Sequence, residues 1–327
     1  MSSAISSKTV LLLGGSGQIG REAARALLAE GRRLVCALRP GAAWSPPAGV
    51  EILEVAATRP HAFREALERA LSGGPTVDAV VSCLASRTGA PEDAWAVDHT
   101  AQLAALKAAE AAGVPLFVAL SAICVQKPRL AFQHAKLAFE KALIASPIAH
   151  SIVRPTAYFS SLSGQVARVK AGKPYLLFGD GGLTATKAIG PADVGRYLAG
   201  CLTDPTRRGV RPIGGPGPAV TPREQGERLF ELLGRRPRFT QIPLAAMDAV
   251  IAGLAAAGRV SRRARNGAEF ARIARYYASE SMLLWDAAAE AYDADATPSF
   301  GRESLFDHYQ KLVAGAVETD LGAHAVF

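Results

Sequence analysis

Val10-Leu11-Leu12-Leu13-Gly14-Gly15-Ser16-Gly17-Gln18-Ile19-Gly20 is the stretch that decides the fold. Its unbroken apolar run reads as a strand covered on both faces, and Ile19–Glu30 after it reads as a helix. Each glycine has a task in that setting. Gly14 permits a tight turn off the strand, and Gly17 lets backbone approach a pyrophosphate. Gly20 allows close packing of helix on sheet, while the helix N-terminus favours phosphate charge. A glycine triplet alone is weak; the strand–turn–helix setting gives it meaning. A bare strand-to-helix turn is the plainer alternative.

Further along, apolar runs at Leu34–Leu38, Val50–Val55, Ala79–Cys83, Leu116–Leu120 and Ser151–Val153 alternate with helical stretches at His61–Leu71, Trp95–Ala112 and Phe132–Ala145. This alternation predicts an α/β fold, a Rossmann-type doubly wound parallel sheet with helices on both faces. After Arg154 the pattern loosens. Pro191–Leu202 reads as a helix, and Arg211–Val220 is too rich in proline and glycine for long regular structure. Thr221-Pro222-Arg223-Glu224 is a helix start with a capping box, and Gly234 closes that helix. The expected organisation is a nucleotide-binding core over residues 1–155. A smaller, mostly helical substrate-side lobe follows over 156–327, with elements that return to the core.

Composition narrows the function classes. The 327 residues carry a formal charge of +8, which favours an anionic ligand, but the basic residues are scattered except at Arg262, Arg263 and Arg265. That cluster reads as a solvated helix face, so no nucleic-acid partner is expected. The four cysteines, at 36, 83, 124 and 201, form no C-x-x-C pair and read as buried thiols, with no metal site. No apolar run reaches the length of a membrane span. Ile242–Leu254 comes nearest; a core helix is the ordinary reading and a membrane-docking helix the sharper one. Leu11–Leu13 is too short for a signal-peptide core, so the chain is expected to stay in the compartment where it is made.

Selectivity between NAD and NADP is read at the end of the second strand. No acidic residue stands there; Arg39 does, and a guanidinium pairs with a 2′-phosphate. The loop after the fourth strand, with Ala85 and Ser86, should line the cofactor crevice. Ser121 follows the fifth strand, and Lys136 lies on the next helix. In short-chain dehydrogenases a serine at that position faces a Tyr-x-x-x-Lys pair, yet here the pair reads Phe132-Gln133-His134-Ala135-Lys136. The lysine is kept, and the tyrosine that would protonate a developing alkoxide is lost. His134 reads as a surface or packing histidine. Either a different reduction or no catalysis follows.

Two segments, Ser82-Cys83-Leu84-Ala85-Ser86-Arg87-Thr88-Gly89 and Ser121-Ala122-Ile123-Cys124-Val125-Gln126-Lys127-Pro128, closely resemble the NADPH-dependent divinyl chlorophyllide a 8-vinyl-reductases, which are atypical short-chain dehydrogenases. So do Phe132-Gln133 with Ala135-Lys136-Leu137, Arg154-Pro155-Thr156-Ala157-Tyr158-Phe159, and Arg275-Tyr276-Tyr277-Ala278 with Glu280-Ser281-Met282. Thr297-Pro298-Ser299 carries the likeness nearly to the end. The resemblance implies NADPH-driven reduction of the C8 vinyl group of a magnesium divinyl chlorophyllide or protochlorophyllide, in (bacterio)chlorophyll biosynthesis.

It further implies a cofactor site built from Gly14, Ser16, Gly17, Gln18, Ile19, Gly20, Arg39, Ala85, Ser86, Lys136 and Pro155. Lys136 and Ser121 are the catalytic candidates, and Tyr158, Phe159, Tyr276, Tyr277 and Met282 the candidate walls for the substrate. One departure is the run Ala56-Ala57-Thr58 after the third strand, where related reductases carry an aspartate. Plant members have a transit peptide that this chain lacks, so a cytoplasmic protein of a bacterial phototroph is expected, peripheral to photosynthetic membranes. Two other classes stay open: a non-catalytic NADP(H) sensor or assembly protein, and a reductase of another conjugated alkene.

Overall fold

The structure is a computed structural model that describes residues 8–72 and 76–318. Strand β1 (Thr9–Leu13) leads into helix α1 (Gln18–Ala29), followed by β2 (Arg33–Leu38), β3 (Glu51–Glu54), α2 (Pro60–Ser72) and β4 (Val77–Ser82). Helix α3 (Pro91–Ala94) passes through a π-helical stretch, Trp95–Ala101, into α4 (Gln102–Ala111). Then come β5 (Leu116–Leu120), α5 (Ala131–Ile144), β6 (Ala149–Pro155), α6 (Phe159–Leu162) and α7 (Val166–Lys170). The rest comprises β7 (Tyr175–Phe178), α8 (Pro191–Gly200), β8 (Gly209–Ile213), α9 (Pro222–Leu232), β9 (Phe239–Ile242), α10 (Leu244–Ala257), α11 (Arg262–Tyr277), β10 (Leu284–Asp286), β11 (Ala291–Asp293) and α12 (Leu305–Val313).

Seven strands form one parallel sheet in the order β3-β2-β1-β4-β5-β6-β8. Alternate residues of β1 face opposite ways, as a pleated strand requires. Val10 and Leu12 pack under α1 and α8, with Ala23, Leu27, Val194 and Leu198. Leu11 and Leu13 pack on the other face, with Phe63, Leu106, Phe139 and Leu143 of α2, α4 and α5. This is the doubly wound sheet that the alternating pattern predicts. Of the Arg211–Val220 segment only Arg211–Ile213 is regular, as the end of β8, an edge strand that tolerates Pro212.

A second core belongs to the lobe. Phe159, Val169, Tyr175, Leu177, Phe230 and Tyr309 meet there, and β7 pairs with β9. Helix α9 starts as the sequence predicts: Thr221 accepts from the Glu224 N–H, and Glu224 accepts from the Thr221 N–H. The apolar run near Ile242–Leu254 departs from the core-helix expectation. It forms α10, and no residue of that helix is buried. Its packing partner is α11, so the burial expected from composition has no second surface to occur against.

Candidate active site

The glycine turn is built as its sequence predicts. Gly14 has a φ of +74°, and a Cβ there would lie 2.7 Å from the Cys83 carbonyl oxygen, so the turn rests directly on the end of β4. A Cβ on Gly20 would collide with the Gly14 carbonyl. Gly17 is different: only the Gly14 oxygen, at 3.4 Å, is near its Cβ position, and it is the exposed N-cap of α1 with no side-chain cap. Ser16 and Gln18 flank it half-buried, Ile19 anchors the helix in the core, and Gln18 accepts from the Ser160 hydroxyl at 2.8 Å. A helix N-terminus with no side-chain cap, beside open space, suits a phosphate.

Arg39 is exposed directly after β2, with no ion pair among the described residues. A dinucleotide would find groups that fit it: the N-terminus of α1 for a pyrophosphate and an exposed guanidinium at the end of β2 for a 2′-phosphate. Ala85 is exposed and Ser86 buried in the loop after β4; Pro155 ends β6 at the same carboxyl edge of the sheet.

Lys136 is 9% exposed, and its Nζ lies 2.9 Å from Asp98 Oδ1. Asp98 sits in the π-helical stretch and is 1% exposed. It also accepts from the Ser86 N–H, at 3.3 Å, tying α5 to the loop after β4. Such π-helical turns often occur at functional sites.

Ser121 is placed otherwise than expected. Its hydroxyl donates to the buried carboxylate of Glu140, which is paired with Arg154. The hydroxyl takes part in a polar brace between β5, α5 and β6. His134 is exposed, as its sequence reading has it.

The wall candidates divide. Phe159 is 1% exposed and stacks on His308 in the lobe core. Tyr276 is 5% exposed, and its hydroxyl donates to the carbonyls of Cys124 and Lys127. Met282 is buried in the same cluster with Ile123 and Leu130. All three side chains are buried, Phe159 in the lobe core and Tyr276 and Met282 against the segment after β5. Tyr158 and Tyr277 stay half-buried.

The Tyr277 hydroxyl points at Cys124 Sγ, at 3.8 Å. The Tyr158 hydroxyl has no hydrogen-bond partner among the described residues. Burial pushes its phenol well above the usual range, and the nearby Cys83 and Cys124 add in the same direction. Burial also raises Cys83, to about 12, with Cys36 adding and Lys136 opposing. The cysteines here are thiols at neutral pH, unsuited to nucleophilic work.

The comparisons bear on this geometry. Residues 14–205 match the NAD(P)H-binding family. The chloroplastic divinyl chlorophyllide a 8-vinyl-reductase of Oryza sativa subsp. indica is 44% identical over 98% of this chain and 83% of its own length. That of Zea mays is 43% identical over 98% and 84%.

The chain belongs to the divinyl chlorophyllide a 8-vinyl-reductase family.

Among solved structures, an NADPH-dependent quinone oxidoreductase of Escherichia coli shares the fold, with a TM-score of 0.68 at 19% identity over 93% of this chain and 99% of that one. In this family member, the Ser121–Pro128 segment serves as a clamp on the lobe. Gln126 accepts from the Trp285 N–H at 2.9 Å, and Lys127 lies 4.0 Å over the Trp285 ring. Lys127 and Arg129 also reach Glu280, 5% exposed, at 2.8 and 2.9 Å.

Asp98 and Glu140 were absent from the sequence-based site. Asp98 had a readable signal: it lies at helical spacing from Ala94, Ala101 and Ala105, a carboxylate on an otherwise apolar face. A charge on such a face needs a partner, and Lys136 supplies it.

Proposed function

We propose that this chain reduces the C8 vinyl group of 3,8-divinyl chlorophyllide a, or of its protochlorophyllide precursor, to ethyl with NADPH. The observation that carries this reading is 44% identity to the rice enzyme along 98% of the chain. Bound NADPH would supply the hydride. The N-terminus of α1 holds the pyrophosphate, Arg39 pairs with the 2′-phosphate, and Lys136, held by Asp98, positions the nicotinamide ribose.

The remaining residues suit an alkene. Carbonyl reduction needs a proton donor at a growing alkoxide, and Phe132 cannot be one. When a conjugated vinyl group accepts hydride at its terminal carbon, negative charge spreads into the macrocycle and no alkoxide forms. A proton must still reach the carbon framework to complete the ethyl group. Tyr158 offers it: a phenol kept protonated by burial, near Cys83 and Cys124, with its hydroxyl uncommitted among the described residues. Water then returns a proton to the phenolate. The net charge of +8 complements the substrate's carboxylate.

The test is anaerobic incubation of the purified protein with NADPH and the divinyl pigment, followed by chromatography and mass analysis. The expected product is heavier by one H2 and is lost in Lys136→Ala. Tyr158→Phe should lower kcat by about 10²–10⁴, the usual range for a proton donor, with KM for the pigment little changed. An intact protein that binds NADPH and yields no product would overturn the reading.

A further inference from the structure

Helix α10 is an anomaly for a folded chain in water. Its inner face, Leu244, Met247, Ile251 and Leu254, is half-buried on α11. Its outer face is apolar as well: Ala245, Ala249, Ala252 and Ala256 are exposed, and Val250 is 57% exposed. The apolar surface continues at Val260, 93% exposed, between the two helices, and at Phe270 on α11. Apart from Asp248, which is paired with Arg275, α10 is apolar all round; such a helix belongs in a core or in lipid, and α10 has no core around it.

Charge identifies the occupant. Residues 244–278 hold six arginines and two carboxylates. Both carboxylates are already paired, Asp248 with Arg275 and Glu269 with Arg272. Arg259 and Arg263 have no ion pair among the described residues, and Arg262 reaches only an exposed Glu92, at 3.3 Å. Arg259, Arg265 and Arg272 line a recess with Ala255, Gly258 and Ala268, and none of its lining residues is acidic. A cationic recess beside an apolar helix face complements a surface whose headgroups are anionic and whose interior is hydrocarbon. A second copy would bring two positively charged hairpins face to face. No helix among the described residues is long and apolar enough to cross a membrane, so α10 would lie in the interface plane.

We propose that the α10–α11 hairpin docks this protein on an anionic lipid bilayer, with α10 in the interface and the arginines on the headgroups. Helix α11 runs from this arginine tip to Tyr276 and Tyr277 at the carboxyl edge of the sheet. Because α11 packs antiparallel along α10, with Arg275 paired to Asp248, docking holds the Tyr276 end of α11 one helix layer, about 8–10 Å, above the axis of α10. The inference is independent of the pigment chemistry and is tested without pigment or NADPH.

The full chain is sedimented with vesicles of phosphatidylcholine alone and of phosphatidylcholine mixed with phosphatidylglycerol. Binding to the mixed vesicles is expected. It should weaken by about tenfold or more in the double variant Arg259→Glu/Arg263→Glu and in Val250→Asp, and also at high salt. These side chains are exposed, so melting temperatures should stay unchanged. Equal binding to both vesicles, no binding to either, or binding untouched by the substitutions would overturn the proposal. So would full release by millimolar inorganic phosphate, which marks a simple anion site, or a dimer abolished by Val250→Asp in sedimentation velocity.

Discussion

The ammonium of Lys136 and the carboxylate of Asp98 lie 2.9 Å apart, both nearly closed to solvent, on two different helical segments beside the loop after β4. Each is the other's condition for being buried while charged. Lys136→Ala and Asp98→Ala should therefore each destabilise the fold, by about 3–5 kcal/mol, because the remaining charge is stranded. The pair Lys136→Met with Asp98→Leu should restore most of that stability without restoring activity. Thermal melts of the three variants alongside turnover check this. Losses in the double variant that equal the sum of the two single losses would show that the two residues are not coupled.

How far this arrangement was legible differs from residue to residue. The turn at Gly14–Gly20 was readable because it is local: tight turn, close approach and helix start all fall within one short segment. Asp98 lay in plain view on an apolar face, but the register shift of a π-helical turn leaves no periodic mark in a sequence. The burial of Phe159, Tyr276 and Met282 was illegible for a related reason. Their burial is set by chain segments more than a hundred residues away, as the bonds from Tyr276 to the carbonyls of Cys124 and Lys127 illustrate. Helix α10 shows the reverse error. Uniform apolarity erases the 3.6-residue pattern that marks an inner face, so its sequence could not say whether a core surrounded it.

Arg39 sets the expectation for cofactor choice. Without a carboxylate at the end of β2, nothing selects the ribose hydroxyls of NADH, while a free guanidinium there favours a phosphate. A charge-assisted hydrogen bond contributes about 1.5–3 kcal/mol, so Arg39→Ala should raise KM for NADPH about ten- to a hundredfold. KM for NADH should barely move. Steady-state kinetics with both cofactors decides it; parallel losses would place Arg39 away from the 2′-phosphate.

Gly17 and Gly20 should separate binding from folding. A methyl group at Gly20 strikes the Gly14 carbonyl, so Gly20→Ala must open the turn, at about 1–3 kcal/mol of stability, and lose the cofactor with it. Gly17 has a φ of −72°, which alanine adopts freely, and open space above it. Gly17→Ala should melt near the parent temperature yet bind NADPH far more weakly, because its methyl group occupies the phosphate's approach. Calorimetric titration with NADPH, paired with melting curves, tests the contrast. Retained binding in Gly17→Ala would move the pyrophosphate elsewhere.

Glu280 should give the clamp between core and lobe a dependence on acid. Burial works against its charge, but hydrogen bonds from Lys127 and Tyr292 and the charge of Arg129 hold its carboxyl below the usual range. A carboxyl depressed in the folded state adds stability at pH values above its unfolded pKa of about 4.3, and that stability is lost as pH falls through the lower, folded value. Glu280→Gln should cost about 1–3 kcal/mol near pH 7, where Lys127 and Arg129 face a neutral amide. The gap between the parent and the variant should narrow as the medium is taken below about pH 4, because protonation then neutralises the parent's carboxylate as well. Melting curves of both proteins across that range provide the check. A gap that stays constant with pH would mean that Glu280 acts through its shape and hydrogen bonds, and that the clamp owes nothing to its charge.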